Sequence, residues 1–121
     1  MKEIDIFISP ERLFEVTDIL HKHNVGGVTF FEINGSGRTK REPIPEIVRE
    51  YMTGKNIIPE FAKRIKVEAV VPDSSAKQII DDILNNISPG SDAHGMIFVK
   101  EVAEAYEVGT KQSGDAALSP K

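Results

Sequence analysis

Segments with a strand-like pattern and segments with helical spacing follow one another in the order strand, helix, strand, strand, helix, strand. Residues 3–9 alternate strictly. Ile4, Ile6 and Ile8 point one way, and Glu3, Asp5 and Phe7 the other. Ser9-Pro10-Glu11 then predicts a helix start, with Ser9 as N-cap and Pro10 in the first turn. Leu13, Val16 and Leu20 form its stripe, flanked by Phe14 and Ile19, and Gly26-Gly27 turns the chain. Residues 28–33 are rich in β-branched and aromatic types and read as a second strand. In the third strand Ile65, Val67, Ala69 and Val71 share one face, with Lys66 and Glu68 on the other. Pro72-Asp73-Ser74 caps a second helix whose stripe is Ala76, Ile79, Ile80, Ile83, Leu84 and Ile87. Residues 96–100 make a fourth strand, residues 106–110 a short fifth, and 112–121 a loose tail.

That order is the split βαβ arrangement, an α+β, ferredoxin-like βαββαβ fold with an antiparallel sheet and both helices on one face. At 121 residues, it predicts a single domain over the whole chain. The second sheet face holds Phe7, Phe31, Val70 and either Ile97 or Phe98, which cannot all be left to water. Another copy of the chain is the simplest cover.

Residues 36–60 interrupt this pattern. Pro43, Pro45, Gly54 and Pro59 punctuate a long excursion after the second strand. Within it Ile47, Val48, Tyr51 and Met52 fall at helical spacing and predict a short amphipathic helix. Residues 36–66 carry eight Lys/Arg against four Asp/Glu, although the whole chain is at −4. A basic segment on an acidic body points to an anionic ligand or partner nearby.

Cys is absent, so disulfides and thiolate metal sites are excluded. No apolar run spans a bilayer and no signal-peptide pattern is seen, so a cytoplasmic protein without membrane insertion is expected. His21 and His23 stand two apart on a helix and face different ways, which disfavours a shared metal. No nucleophile–base order and no carboxylate pair in catalytic spacing stands out. The chain is therefore read as a binding protein, with no catalytic residues and no metal site. Gly35-Ser36-Gly37-Arg38 lacks the dinucleotide and phosphate-loop patterns. Its glycines still allow close backbone approach, and Arg38 offers a forked cation.

Four stretches, in order, carry a resemblance: 27–38 (GVTFFEINGSGR), 61–73 (FAKRIKVEAVVPD), 95–99 (GMIFV) and 114–117 (GDAA). The set resembles the nitrogen regulatory PII and PII-like signal-transduction family. The resemblance implies a homotrimer with effector sites between subunits and a long loop that engages a transporter or a metabolic enzyme. It implies no nucleic-acid partner. Carried onto this sequence, it places Gly27, Val28, Thr29 and Val70 on the adenine side of the site. Gly35, Gly37 and Arg38 would line the cleft, Arg64 would stand at the loop base, and Asp92, His94 and Gly95 would form the phosphate-side loop.

Family members bind ATP or ADP, and many bind 2-oxoglutarate beside Mg-ATP. Here the phosphate-clamp cations are replaced by Met96, Glu107 and Gly109, and Thr39 stands at the 2-oxoglutarate–metal corner. Each lost charge-assisted contact removes about 1.5–3 kcal/mol. The expected effector is therefore a small anionic metabolite or nucleotide, with ATP, ADP and AMP as candidates. The alternative is a trimeric docking module without a small-molecule ligand.

Overall fold

The computed structural model describes residues 1–35, 62–87 and 95–120. Strands β1 (Lys2–Ile8), β2 (Val28–Gly35), β3 (Ala62–Val71) and β4 (Met96–Glu101) alternate with helices α1 (Leu13–Lys22) and α2 (Asp73–Asn86). The sheet order is β2-β3-β1-β4, with every hydrogen-bonded pair antiparallel. Four antiparallel strands and two helices are consistent with the ferredoxin-like expectation.

The register explains the two faces. Ile4 lies opposite Ala69 and Val99, and Ile6 opposite Val67 and Ile97. These residues share the face that meets the helices, because paired residues in an antiparallel sheet point the same way. Ile4, Ile6, Ile8, Ile65, Val67, Ala69 and Val71 are buried there against Val16, Ile19 and Leu20 of α1 and Ala76, Ile79 and Ile83 of α2. The helical stripes are narrower than their apolar residues suggest. Phe14 sits nearly opposite the buried line of α1 and Leu84 about a quarter-turn from that of α2, and both are exposed.

Local details differ from the sequence expectation at four places. Ser9 does not cap through its side chain; Pro10–Arg12 is a 3-10 turn that leads into α1. The N-cap of α2 is Pro72, and the Ser75 hydroxyl donates to its carbonyl at 3.2 Å. The turn after α1 uses Asn24 at φ 58°, with the Val25 amide donating to Leu20 O, so the left-handed residue is not a glycine. The expected fifth strand at 106–110 is reduced to a bridge between Tyr106 and Ser113. A reversal closes there: the Glu107 amide donates to Gln112 O and the Lys111 amide to Glu107 O, with Lys111 at φ 66°. Beyond it, Gly114–Leu118 forms a 3-10 helix.

Asp82 ties the two helices together on their outer side. Its Oδ2 lies 2.7 Å from His23 Nε2 and 3.5 Å from Lys22 Nζ. The His23 contact, aided by Lys22, holds its carboxyl below the ordinary 3.8. A depressed carboxylate stabilises the fold above its unfolded pKa, and that contribution is lost as pH falls through the folded value. Asp82→Asn should therefore lower Tm at neutral pH, and the gap from the wild type should close as the solution is acidified below about pH 4. Thermal denaturation across that range checks it.

Candidate functional site

A cavity of about 430 Å³ opens where the start of β2, the end of β3 and the C-terminal 3-10 helix meet. Gly26, Gly27, Val70, Ala117, Leu118 and Ser119 line it. The volume suits a small organic molecule or one end of a larger one. Its walls are apolar side chains, backbone and the Ser119 side chain, and none of these lining residues titrates. Such a lining can hold a flat or apolar group and meet its polar edge with peptide N–H and C=O groups. Among the described residues it offers no titrating general acid or base.

The Gly26 position decides whether this cavity keeps its C-terminal wall. A Cβ there would stand 2.3 Å from the Leu118 carbonyl oxygen and 3.0 Å from the Ser119 carbonyl carbon. Both are backbone atoms, which cannot swing aside. A Cβ on Gly27 would meet nothing within 4 Å. Gly26→Val should release the C-terminal segment, seen as faster limited proteolysis there, at a cost of about 1–3 kcal/mol in stability. Gly27→Ala should do neither.

The remaining sequence-derived site residues spread along the β2–β3 pair. Val28 faces the core side opposite Ala69. Thr29 lies on the other face opposite Glu68 and is exposed. At the far end Gly35 pairs with Ala62, and Arg64 pairs with Ile33. The Arg64 guanidinium donates to Lys63 O at 3.4 Å. Gly95 sits at the same end, where a Cβ would stand 2.6 Å from Phe7 O; the absent side chain lets β4 lie against β1. Arg64 and Val70 are six residues apart on one strand, so their ends are separated by about 20 Å. The residues of the adenine side and those of the loop base are thus not brought together within one chain. Gly37, Arg38, Asp92 and His94, and the loop residues Ile47, Val48, Tyr51 and Met52, lie outside the described residues.

The second sheet face carries a feature that alternation alone did not reveal. Phe7, Phe31, Phe98 and Val70 are on it, whereas Ile97 turns to the core. Among them Asp5 is only 1% exposed. Lys100 Nζ lies 2.9 Å from Asp5 Oδ2 and 3.6 Å from Glu3 Oε2. Lys66 Nζ lies 2.9 Å from Glu68 Oε1 and 5.6 Å from the ring centroids of both Phe7 and Phe31. Carboxylate oxygens of Glu3, Asp5 and Glu68 fall within 4.8 Å of one another, a spacing that could hold a cation. The two ammonium groups already supply countercharge, and the cluster reads as an ion network. The register i, i+2 on β1 was the available signal, since Glu3 and Asp5 share a face with each other.

Two comparisons with known proteins bear on the family of the chain. The family model for "Nitrogen regulatory protein P-II" matches residues 1–112. The chain is 32% identical to Nitrogen regulatory protein P-II 1 of Escherichia coli K12 over 118 residues, 98% of this chain and 100% of that protein. It is 31% identical to the P-II protein of Klebsiella oxytoca and 32% to that of Rhizobium meliloti 1021, with the same coverage.

Proposed function

The chain belongs to the nitrogen regulatory P-II family of signal-transduction proteins, and from that premise we propose that it is a homotrimeric cytoplasmic regulator that binds a small anionic effector between subunits. The observation that carries the proposal is the separation of the two half-sites. Gly27 and Val70 border a cavity at one end of the β2–β3 pair, and Gly35, Gly95 and Arg64 stand at the other. A single ligand can touch both sets only if one chain contributes the first end and a neighbour the second. The apolar second face supports the same assembly, because Phe31 at 41% and Phe98 at 48% exposure gain from cover. The cavity's lack of titrating side chains favours binding over catalysis. No helix among the described residues is long and apolar enough to cross a membrane.

The output element in this proposal is the segment 36–60. Its amphipathic residues Ile47, Val48, Tyr51 and Met52 would dock on a protein target such as a transporter or a metabolic enzyme, and its basic charge would favour an acidic surface. Deleting residues 42–58 tests this. The variant should keep the wild-type mass in sedimentation and its melting temperature within a few degrees, because the buried cluster among the described residues is built from the sheet and the two helices. It should lose the partners that the full chain retains on an affinity column. Retention of the same partners by the deletion variant would move the output surface off this segment.

A further inference from the structure

Asp5 Oδ1 is buried and has no hydrogen-bond partner, although Lys100 satisfies the other oxygen of the same carboxylate. A lone carboxylate oxygen in such a place is costly unless a donor reaches it. Two residues along β1, on the same face, stands Glu3, whose carboxyl is part of the same cluster within 4.8 Å. A carboxyl group becomes a donor only when it holds a proton. Two carboxyls this close, one of them buried, share a single proton more readily than they hold two full charges.

The groups that face the pair from every packed element are few. β3 supplies Lys66 and Glu68, β4 supplies Lys100 beside the Phe98 ring, and β2 supplies Thr29 and Phe31, which do not titrate. Glu3, Asp5 and Glu68 against Lys66 and Lys100 leave this cluster one negative charge in excess when all are ionised, with Arg64 farther along the same face of β3. With one proton on the pair, the cluster is neutral. A neutral, mixed-sign patch ringed by Phe7, Phe31 and Phe98 can be dehydrated where copies of the chain meet. One with an uncompensated charge resists it.

We propose that Glu3 and Asp5 form a proton-binding site at the centre of the second sheet face, and that covering this face with further copies of the chain takes up one proton per subunit. This rests on the trimer reading given above. The titration directions agree. The contact with Asp5, then burial and the Asp5 charge, raise the Glu3 pKa above the ordinary 4.5. Burial works to raise Asp5, but hydrogen bonds from Lys100 and Glu3 outweigh it and hold that carboxyl below 3.8. When the pair holds one proton, these directions favour Glu3 as its carrier and Asp5 as the acceptor. For Glu3 the sign is that of a raised group: its protonated form favours the assembled state at low pH, and this is lost as pH rises through the assembled-state pKa.

The test is sedimentation equilibrium at a series of pH values between about 8 and 5. If three protons enter per trimer, the midpoint concentration for assembly should fall by up to about 30-fold per pH unit as pH is lowered. The Glu3→Gln variant carries a permanent donor to Asp5. It should assemble at least as tightly as the acid wild type, with a midpoint that changes less than about threefold across the series. Asp5→Asn, the second variant, should also flatten the dependence even if it weakens the fold. A wild-type trimer with a pH-independent midpoint overturns the inference and leaves the trimer reading standing. So does a Glu3→Gln variant with the wild-type slope. A chain that stays monomeric throughout overturns both.

Discussion

Replacing Phe98 by glutamate is expected to give a folded protomer that sediments as a monomer at micromolar concentration, where the wild type is expected to sediment as about three subunits. Phe98 lies on the second sheet face, directly opposite Asp5, with its ring edge-on to Phe7 at 5.6 Å. It is 48% exposed in the isolated chain. A glutamate there removes an aromatic anchor and puts a second carboxylate across from Asp5. Truncated aromatic anchors cost at least about 2 kcal/mol per interface, a factor of about 30 in affinity. The side chain makes no contact with the helices, so circular dichroism should report an unchanged fold with a modest fall in Tm. Phe14→Glu is the matched control. Phe14 is 78% exposed on α1, away from this face, and its variant should retain the wild-type mass. Loss of mass in both, or in neither, would place the interface elsewhere.

The second large effect is a gain. Met96→Lys, Glu107→Arg and Gly109→Arg together should raise ATP affinity at least about 100-fold over the wild type, because each restored charge-assisted contact to phosphate contributes about 1.5–3 kcal/mol. The structure accommodates these changes. Met96 begins β4, where it is 48% exposed. A Cβ on Gly109 meets only the end of the flexible Glu107 side chain, at 3.2 Å, and Glu107→Arg removes that carboxylate. Glu107 does accept the Thr110 amide at 2.9 Å, so the reversal at 107–112 should loosen somewhat. Lys100 and Lys111 are the cations nearest in sequence to these positions. Lys100 is committed to Asp5 at 2.9 Å, and Lys111 sits at φ 66° within the reversal. Calorimetry with ATP on both proteins reads the ratio. A wild type that already binds ATP at sub-micromolar concentration would show that other cations fill the clamp.

The elements were legible because their periods are clean. Ile4-Ile6-Ile8 and Ile65-Val67-Ala69-Val71 alternate, and Ala76, Ile79 and Ile83 repeat at helical spacing, so local pattern and tertiary burial agree. Capping was less legible. Ser9 and Asp73 are good N-cap types, yet chain direction set by Pro10 and Pro72 decides where each helix begins. The second face of the sheet was legible as mixed, with Glu3, Asp5, Lys66 and Glu68 among its aromatic residues, but not the burial of Asp5 at its centre. Nothing local distinguishes Asp5 from a solvated outward residue; its burial follows from Phe98, Lys100, Glu68 and Lys66 arriving from two other strands. The same holds for the cavity. Gly27 and Val70 were named from the family resemblance, but Gly26 and residues 117–119 join them only because the C-terminus returns across the end of the sheet. Pairings that depend on chain return carry no short-range signature in the sequence.

A small anion taken up between subunits, as proposed above, should stabilise this P-II family chain. Thermal-shift titration of the wild type with ATP, ADP, AMP, 2-oxoglutarate and bicarbonate, followed by calorimetry on any that respond, tests it most directly, because a bound ligand stabilises by an amount set by its concentration over its Kd. The expected result is a saturable rise in Tm with at least one of these anions, at one site per subunit, with the responding anion carrying fewer phosphates than ATP. A trimer whose melting temperature none of them shifts at any concentration up to about 100 times a micromolar Kd would contradict it, and would leave a docking module in place of a sensor.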